Sequence, residues 1–214
     1  PPAPLRREIS SMTVLSGANA SAPMSALGAA SSEDFDRSEA ERSRPGLLGA
    51  LQGEPDTQVL LLSAGRVALN EHGGLLLLAP GDVEARQIRA FLGRLRGRPL
   101  LLAIIDEDSF ARTAPPGGWG ELRAMGAELD DSDAAVLVTA RALGLWITES
   151  EFCPACGASA DLANVGWSRH CSACGREHFP RTDPAVIAAV TDGERLLLGS
   201  NAAWPAGRYS CFAG

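Results

Sequence analysis

The chain has 214 residues, enough for one large domain or two small ones with a core in each. Its hydrophobic share of 45% and charged share of 21% are those of an ordinary globular protein, and no apolar run approaches the roughly 20 residues of a membrane span. A net charge of -7 and a pI near 5.0 argue against broad electrostatic binding to nucleic acid, and all 19 positive side chains are arginine, which reads as GC-rich codon usage rather than a phosphate-binding set.

Residues 1–33 are expected to be a disordered leader. No apolar stretch follows Arg6 and Arg7, and the mixture of Ser, Ala, Gly and Met has no structural period. The chain opens on Pro-Pro, so either Met12 or Met24 is the start or the sequence is a fragment. Residues 34–150 are expected to form an N-terminal domain. Alternating charges ahead of Leu47, Leu48 and Leu51 suggest a short surface helix. The apolar runs at 59–62, 67–69 and 75–78, broken by Ala64-Gly65 and Gly73-Gly74, read as an antiparallel meander.

Asp82 stands where a helix N-cap belongs, and Val83, Ile88, Phe91, Leu92 and Leu95 follow at helical spacing until Gly97 and Pro99. Arg86, Arg89, Arg94 and Arg96 on that element are a solvated face in the plain reading and a phosphate-binding face in the sharper one. Residues 100–105 read as a buried strand. After the looser segment 115–120 comes a second helix, capped by Asp133, with Val136, Leu137, Ala140, Leu143 and Ile147 as its apolar stripe.

Residues 151–180 are expected to be a zinc ribbon. Cys153, Cys156, Cys171 and Cys174 form two Cys-x-x-Cys pairs, each followed by glycine. A two-residue gap lets both sulfurs of a pair reach one metal, and four thiolates satisfy Zn²⁺ without an open position. The alternatives are a redox pair or disulfides; two matched knuckles fit neither well. His170 and His178 are read as non-ligands, Cys211 as a small core residue, and Trp167 as packing beside the knuckles. Paired thiols without a secretory signal suggest the cytoplasm. Beyond residue 180, apolar runs flanking Asp192-Gly193 predict a hairpin.

From Phe152 onward the sequence resembles the NADH pyrophosphatase branch of the Nudix hydrolases. The residues that carry the likeness are the two cysteine knuckles, the run from Phe179-Pro180-Arg181 through Asp183-Pro184-Ala185-Val186-Ile187, and Trp204-Pro205-Ala206-Gly207-Arg208-Tyr209-Ser210. The likeness extends more loosely upstream to about residue 36. It implies an α+β protein with three parts: a strand-meander-plus-helix N-terminal domain, a four-cysteine zinc ribbon, and the first strands of an α/β/α Nudix sandwich over 181–214. Gly214 corresponds to the first glycine of the Nudix box, so the family's metal-binding glutamates would lie beyond it.

The resemblance further implies hydrolysis of NAD(H) to nicotinamide mononucleotide and AMP, removal of NAD caps from RNA, catalytic Mg²⁺ or Mn²⁺ beside the structural Zn²⁺, and a homodimer. Residue by residue, it gives Phe179 a stacking role against a base and Arg123 a contact to diphosphate. It also gives the Ala213 carbonyl a share in holding the catalytic metal. Gly166 stands where some members carry a substrate-contacting glutamate, which this chain lacks. The competing readings are a non-catalytic zinc-ribbon binding module and an inactive remnant.

Overall fold

A computed structural model describes residues 34–126, 128–181, 186–202 and 204–213. The expected leader, the motif residues Thr182 to Ala185 and Gly214 lie outside the described residues. The described residues divide into two compact units, one ending at Pro180 and the other running from Arg181.

The first unit begins with β1 (Phe35–Asp36), α1 (Leu47–Gln52), β2 (Gln58–Ser63), β3 (Arg66–Ala68), β4 (Leu77–Leu78), β5 (Ile88–Leu95) and β6 (Arg98–Ile104). It continues through α2 (Glu107–Arg112), β7 (Trp119–Glu121), α3 (Leu122–Met125) and α4 (Asp131–Glu149). The strands form one sheet in the order β1-β5-β6-β2-β3-β7, with β4 also paired to β2.

The expected meander is only partly present. Ala64 and Gly65, at φ 47° and 77°, make the tight hairpin between β2 and β3. On its other side, however, β2 runs parallel to β6, from Gln58 opposite Leu100 to Leu62 opposite Ile104. The sheet is therefore mixed, and β2 lies inside it.

Both faces of this sheet are covered, which explains the continuous apolar runs of β2 and β6. Leu60, Leu62, Leu100 and Leu102 point to one side and pack on Val136, Leu137, Ala140, Leu143 and Ile147 of α4. Val59, Leu61, Leu101 and Ala103 point to the other and meet Leu47 and Leu51 of α1 and Phe110 of α2. Gly144 lets α4 lie close to the sheet, because a Cβ there would collide with Leu62. The stripe expected on α4 is the one buried, although the cap is Asp130, whose side chain accepts the Asp133 N–H at 2.8 Å.

The helix expected after Asp82 does not form. Asp82 ends a single 3₁₀ turn, and Ile88 to Leu95 are the longest strand of the sheet. The helical spacing has a specific cause. Pairing of β5 with β6 shifts register between Ile88 and Ala90 and again between Phe91 and Gly93. Each β-bulge adds a residue and advances the alternation by one. Ile88 and Phe91 thus reach one core while Ala90, Leu92 and Leu95 reach the other. Arg96 and Gly97, at φ 50° and 77°, then turn the hairpin into β6 rather than closing a helix.

The arginines of this segment are spread over the surface. Arg94 makes a bidentate pair with Glu41 at 2.7 and 2.8 Å, and Arg96 lies among Asp34, Asp130 and Asp133. Arg94 and Arg96 are thus engaged by carboxylates.

A three-stranded ribbon of β8 (Asp161–Ala163), β9 (Ser168–His170) and β10 (Glu177–His178) completes this unit. Its seat on the domain is β5. Gly166, at φ 95°, lies so close that a Cβ would fall 2.5 Å from the Ala90 Cβ and 2.7 Å from the Arg89 carbonyl oxygen. Beside it the Trp167 indole donates to the Phe91 carbonyl at 2.7 Å, with the Arg42 guanidinium 3.6 Å above its ring. Trp167 faces the sheet domain rather than the knuckles. Buried Arg169 donates to the Ile147 carbonyl near the end of α4 and to the Ala160 carbonyl within the ribbon.

The second unit holds two short pairs. β11 (Ile187–Ala188) pairs with β14 (Phe212–Ala213), and β12 (Val190–Thr191) pairs with β13 (Leu196–Leu197). The second pair is the expected hairpin, its turn held by the Asp192 carboxylate accepting the N–H groups of Glu194 and Arg195.

Gly166→Ala should destabilise the first unit by about 2–4 kcal/mol, since it combines left-handed strain with a clash against backbone. Urea unfolding of wild type and variant, followed by tryptophan fluorescence, measures this. A change below about 0.5 kcal/mol, within the scatter of ordinary surface substitutions, would contradict the docking.

Candidate metal centre

The sequence pairs its cysteines locally, and the fold brings the pairs face to face. In each knuckle the glycine after the second cysteine has positive φ, 76° at Gly157 and 71° at Gly175. This lets the Gly157 N–H return to the Cys153 carbonyl and the Gly175 N–H to the Cys171 carbonyl, both at 2.8 Å. The chain closes each loop in the same way, with Cys153 N–H donating to Ala158 and Cys171 N–H to Arg176. In the first knuckle the N–H groups of Ala155, Cys156 and Ala158 point at sulfur.

The four Sγ atoms lie within 4.8 Å of one another, and Cys153–Cys174 and Cys156–Cys171 are each 3.6 Å apart. Tetrahedral Zn²⁺ with bonds of about 2.3 Å would separate its sulfurs by about 3.8 Å. The cluster therefore fits that ion. All five cysteines are free thiols, with Cys153 and Cys171 buried and Cys156 and Cys174 exposed.

The electrostatics of the metal-free cluster are uneven. Burial opposes ionisation of Cys153, but N–H groups of Ala155 and Cys156, the His178 ring and Cys174 outweigh it and bring the thiol down to about 6. The Ala158 N–H favours the Cys156 thiolate, but hydrogen bonds with the other three sulfurs prevail and push it up to about 12. A cation between the sulfurs would offset the crowding that opposes ionisation of Cys156.

The other expected site residues lie on separate elements. Arg123 is exposed on α3, which packs on β7 and α4, and no hydrogen bond or ring contact links it to Phe179 among the described residues. Phe179 follows β10 with 60% of its surface exposed. Ala213 lies in β14, opposite Ile187. Gly166 is committed to its contact with β5, so the family's glutamate position serves packing here. Cys211 is partly exposed rather than a core residue. His178 is a non-ligand in the sequence reading, and Arg169 carries no site signal there; the contacts of both, to Cys153 and to the Ile147 and Ala160 carbonyls, are made by the fold.

A rudimentary domain joined directly to a four-cysteine ribbon defines a class. Residues 56–146 match the NADH pyrophosphatase-like rudimentary NUDIX domain, and residues 149–179 match the NADH pyrophosphatase zinc ribbon domain. The chain belongs to the NADH pyrophosphatase branch of the Nudix family. It is similar to proteins named NAD-capped RNA hydrolase NudC. With that of Mycobacterium tuberculosis H37Rv it is 34% identical over 185 residues, covering 82% of this chain and 57% of the relative. With that of Stutzerimonas stutzeri A1501 it is 32% identical over 123 residues, 58% of this chain and 44% of the relative. The chain thus spans little more than half the length of the first of these relatives.

Because Cys156 keeps its proton at neutral pH in the absence of metal, Zn²⁺ must displace at least that proton on binding. Affinity should therefore fall as pH drops, and fall more steeply below about 6, where Cys153 is protonated as well. Competition against a chromogenic chelator between pH 8 and pH 5.5 would show this, and a pH-independent affinity would contradict the four-thiolate site.

Proposed function

We propose that the protein to which this chain belongs is a NAD(H) diphosphatase that also removes NAD caps from RNA. Water adds to one phosphorus of the diphosphate and the bridging P–O bond breaks, giving nicotinamide mononucleotide and AMP from the free dinucleotide. The observation that carries this reading is the direct succession of rudimentary NUDIX domain, zinc ribbon and exposed aromatic in a chain 34% identical to relatives named for NAD-capped RNA hydrolysis.

In this reading Cys153, Cys156, Cys171 and Cys174 hold a structural Zn²⁺ that fixes the ribbon, and Phe179 offers its ring to a base. A π-face exposed at the end of an anchored strand suits stacking, and such stacking contributes about 1–3 kcal/mol per base. Arg123 supplies positive charge toward the diphosphate, and the Ala213 carbonyl contributes to the catalytic metal site. The proposed organisation is a leader over 1–33, a rudimentary domain over 34–150, a ribbon over 151–180 and the opening of the Nudix domain from 181. A homodimer in the cytoplasm completes the reading; among the described residues no helix is long and apolar enough to cross a membrane.

Among the described residues the four cysteines are the one group of side chains gathered for a metal. Those residues form no carboxylate clamp for Mg²⁺ or Mn²⁺, so no catalytic step is assigned to them. The 214-residue polypeptide alone is expected to leave NADH intact.

The test is to express the full reading frame containing this chain and assay NADH and NAD-capped RNA with Mg²⁺ or Mn²⁺, resolving products by chromatography. The full protein should release nicotinamide mononucleotide, and Phe179→Ala should raise KM about tenfold while Phe179→Tyr stays near wild type. A full protein that leaves both substrates untouched would favour the binding-module reading instead.

A further inference from the structure

Four thiolates complete a tetrahedral ion, so any further polar group at the cluster can act only on a sulfur that is already bound. His178 is such a group. Its Nε2 lies 3.0 Å from the Cys153 Sγ. The ring nitrogen is not part of the mutually close ligand set, which contains the four sulfurs alone. It therefore reaches the edge of the site as a donor to one thiolate.

Comparison of the two knuckles shows that the turn itself does not require this ring. They match in their glycine turns and in their closing hydrogen bonds. Four residues after the second cysteine of the first knuckle stands Ala160, packed with buried Cys153 and Cys171. At the corresponding place after Cys174 stands His178. One knuckle is sealed by a methyl group, and the other is closed by a ring nitrogen 3.0 Å from sulfur.

The bond also acts along the chain. β10 is held from three sides. Glu177 accepts from the Ser168 hydroxyl at 2.6 Å and the Asn164 amide at 2.8 Å. His178 lies opposite Arg169, itself bonded to the Ile147 and Ala160 carbonyls. The third hold is the Cys153 sulfur. The next residue is Phe179, with its ring in solvent.

We propose that His178 is a positioning residue that couples the metal centre to the aromatic face. Its Nε2–H steadies the Cys153 thiolate on the metal, and the same bond fixes the strand end from which Phe179 projects. The zinc site thus orients the ring as well as holding the ribbon together. This rests on the proposed function only for what stacks on Phe179.

The test uses the zinc-loaded protein with 4-fluorophenylalanine at position 179, and no dinucleotide. His178→Phe keeps a ring and removes the donor; His178→Gln keeps an N–H donor. Zinc transfer to a chromogenic chelator should be about tenfold faster in His178→Phe, the lower end of the range for losing such a partner. The fluorine resonance at 179 should shift or broaden in that variant, and His178→Gln should recover both readouts in part. Wild-type zinc transfer in His178→Phe would overturn the proposal. So would accelerated transfer with an unmoved fluorine signal, which would sever the ring from the metal. If His178→Phe takes up no zinc, His178→Gln decides: wild-type-like behaviour supports the donor role, and behaviour like a cysteine loss refutes it. None of these readouts involves NADH, so failure of hydrolysis in the full protein leaves the inference standing or falling by itself.

Discussion

Convergence of four sulfurs is the condition on which the ribbon depends. The three short strands after α4 enclose only Cys153, Ala160 and Cys171 as a buried cluster, with Ala158 against it. That is too little apolar surface to offset the entropy of ordering some thirty residues. A metal held by four thiolates replaces the missing core, and the glycine turns are the backbone geometry that lets two pairs face one ion. The crowding that pushes Cys156 upward in the metal-free cluster is the electrostatic side of the same arrangement.

The ribbon does not rest on the metal alone. Its outer layer is fastened to the sheet domain by groups of three kinds: a glycine without a side chain, an indole donor and a buried guanidinium. Arg169 is the most demanding, because burial lowers the pKa of its guanidinium and its Nε finds no partner. Two carbonyl acceptors at 2.5 and 2.6 Å compensate, one from the ribbon and one from near the end of α4. That residue therefore joins helix and ribbon by hydrogen bonds.

Sequence alone reached the parts governed by local pattern. The four cysteines, the apolar stripe of α4 and the Asp192-Gly193 hairpin each carry their signal within a few residues. β5 has a helical pattern in sequence because its two bulges imitate the helical spacing of Ile88, Phe91, Leu92 and Leu95. The parallel pairing of β2 with β6 was hidden for a different reason: the chain between them consists of strands, where a parallel crossover would ordinarily show a helix. The cap of α4 fell three residues away from the expected one, because Asp130 and Asp133 have the same chemistry. Contacts such as Trp167 to Phe91, across seventy-six positions, leave no local trace at all.

The seat of Gly166 on β5 bears on how such a ribbon is inherited. Zinc ribbons are often regarded as portable cassettes that can be moved between unrelated proteins. This one fits a particular neighbour: its glycine needs the backbone of a doubly bulged strand, and its indole needs the carbonyl at Phe91. Transplanted to another host it would carry the metal but expose Trp167 and leave Arg169 without the α4 carbonyl. The ribbon and the rudimentary domain are thus constrained to vary together, and a change in the bulges of one should be answered by a change in the loop of the other.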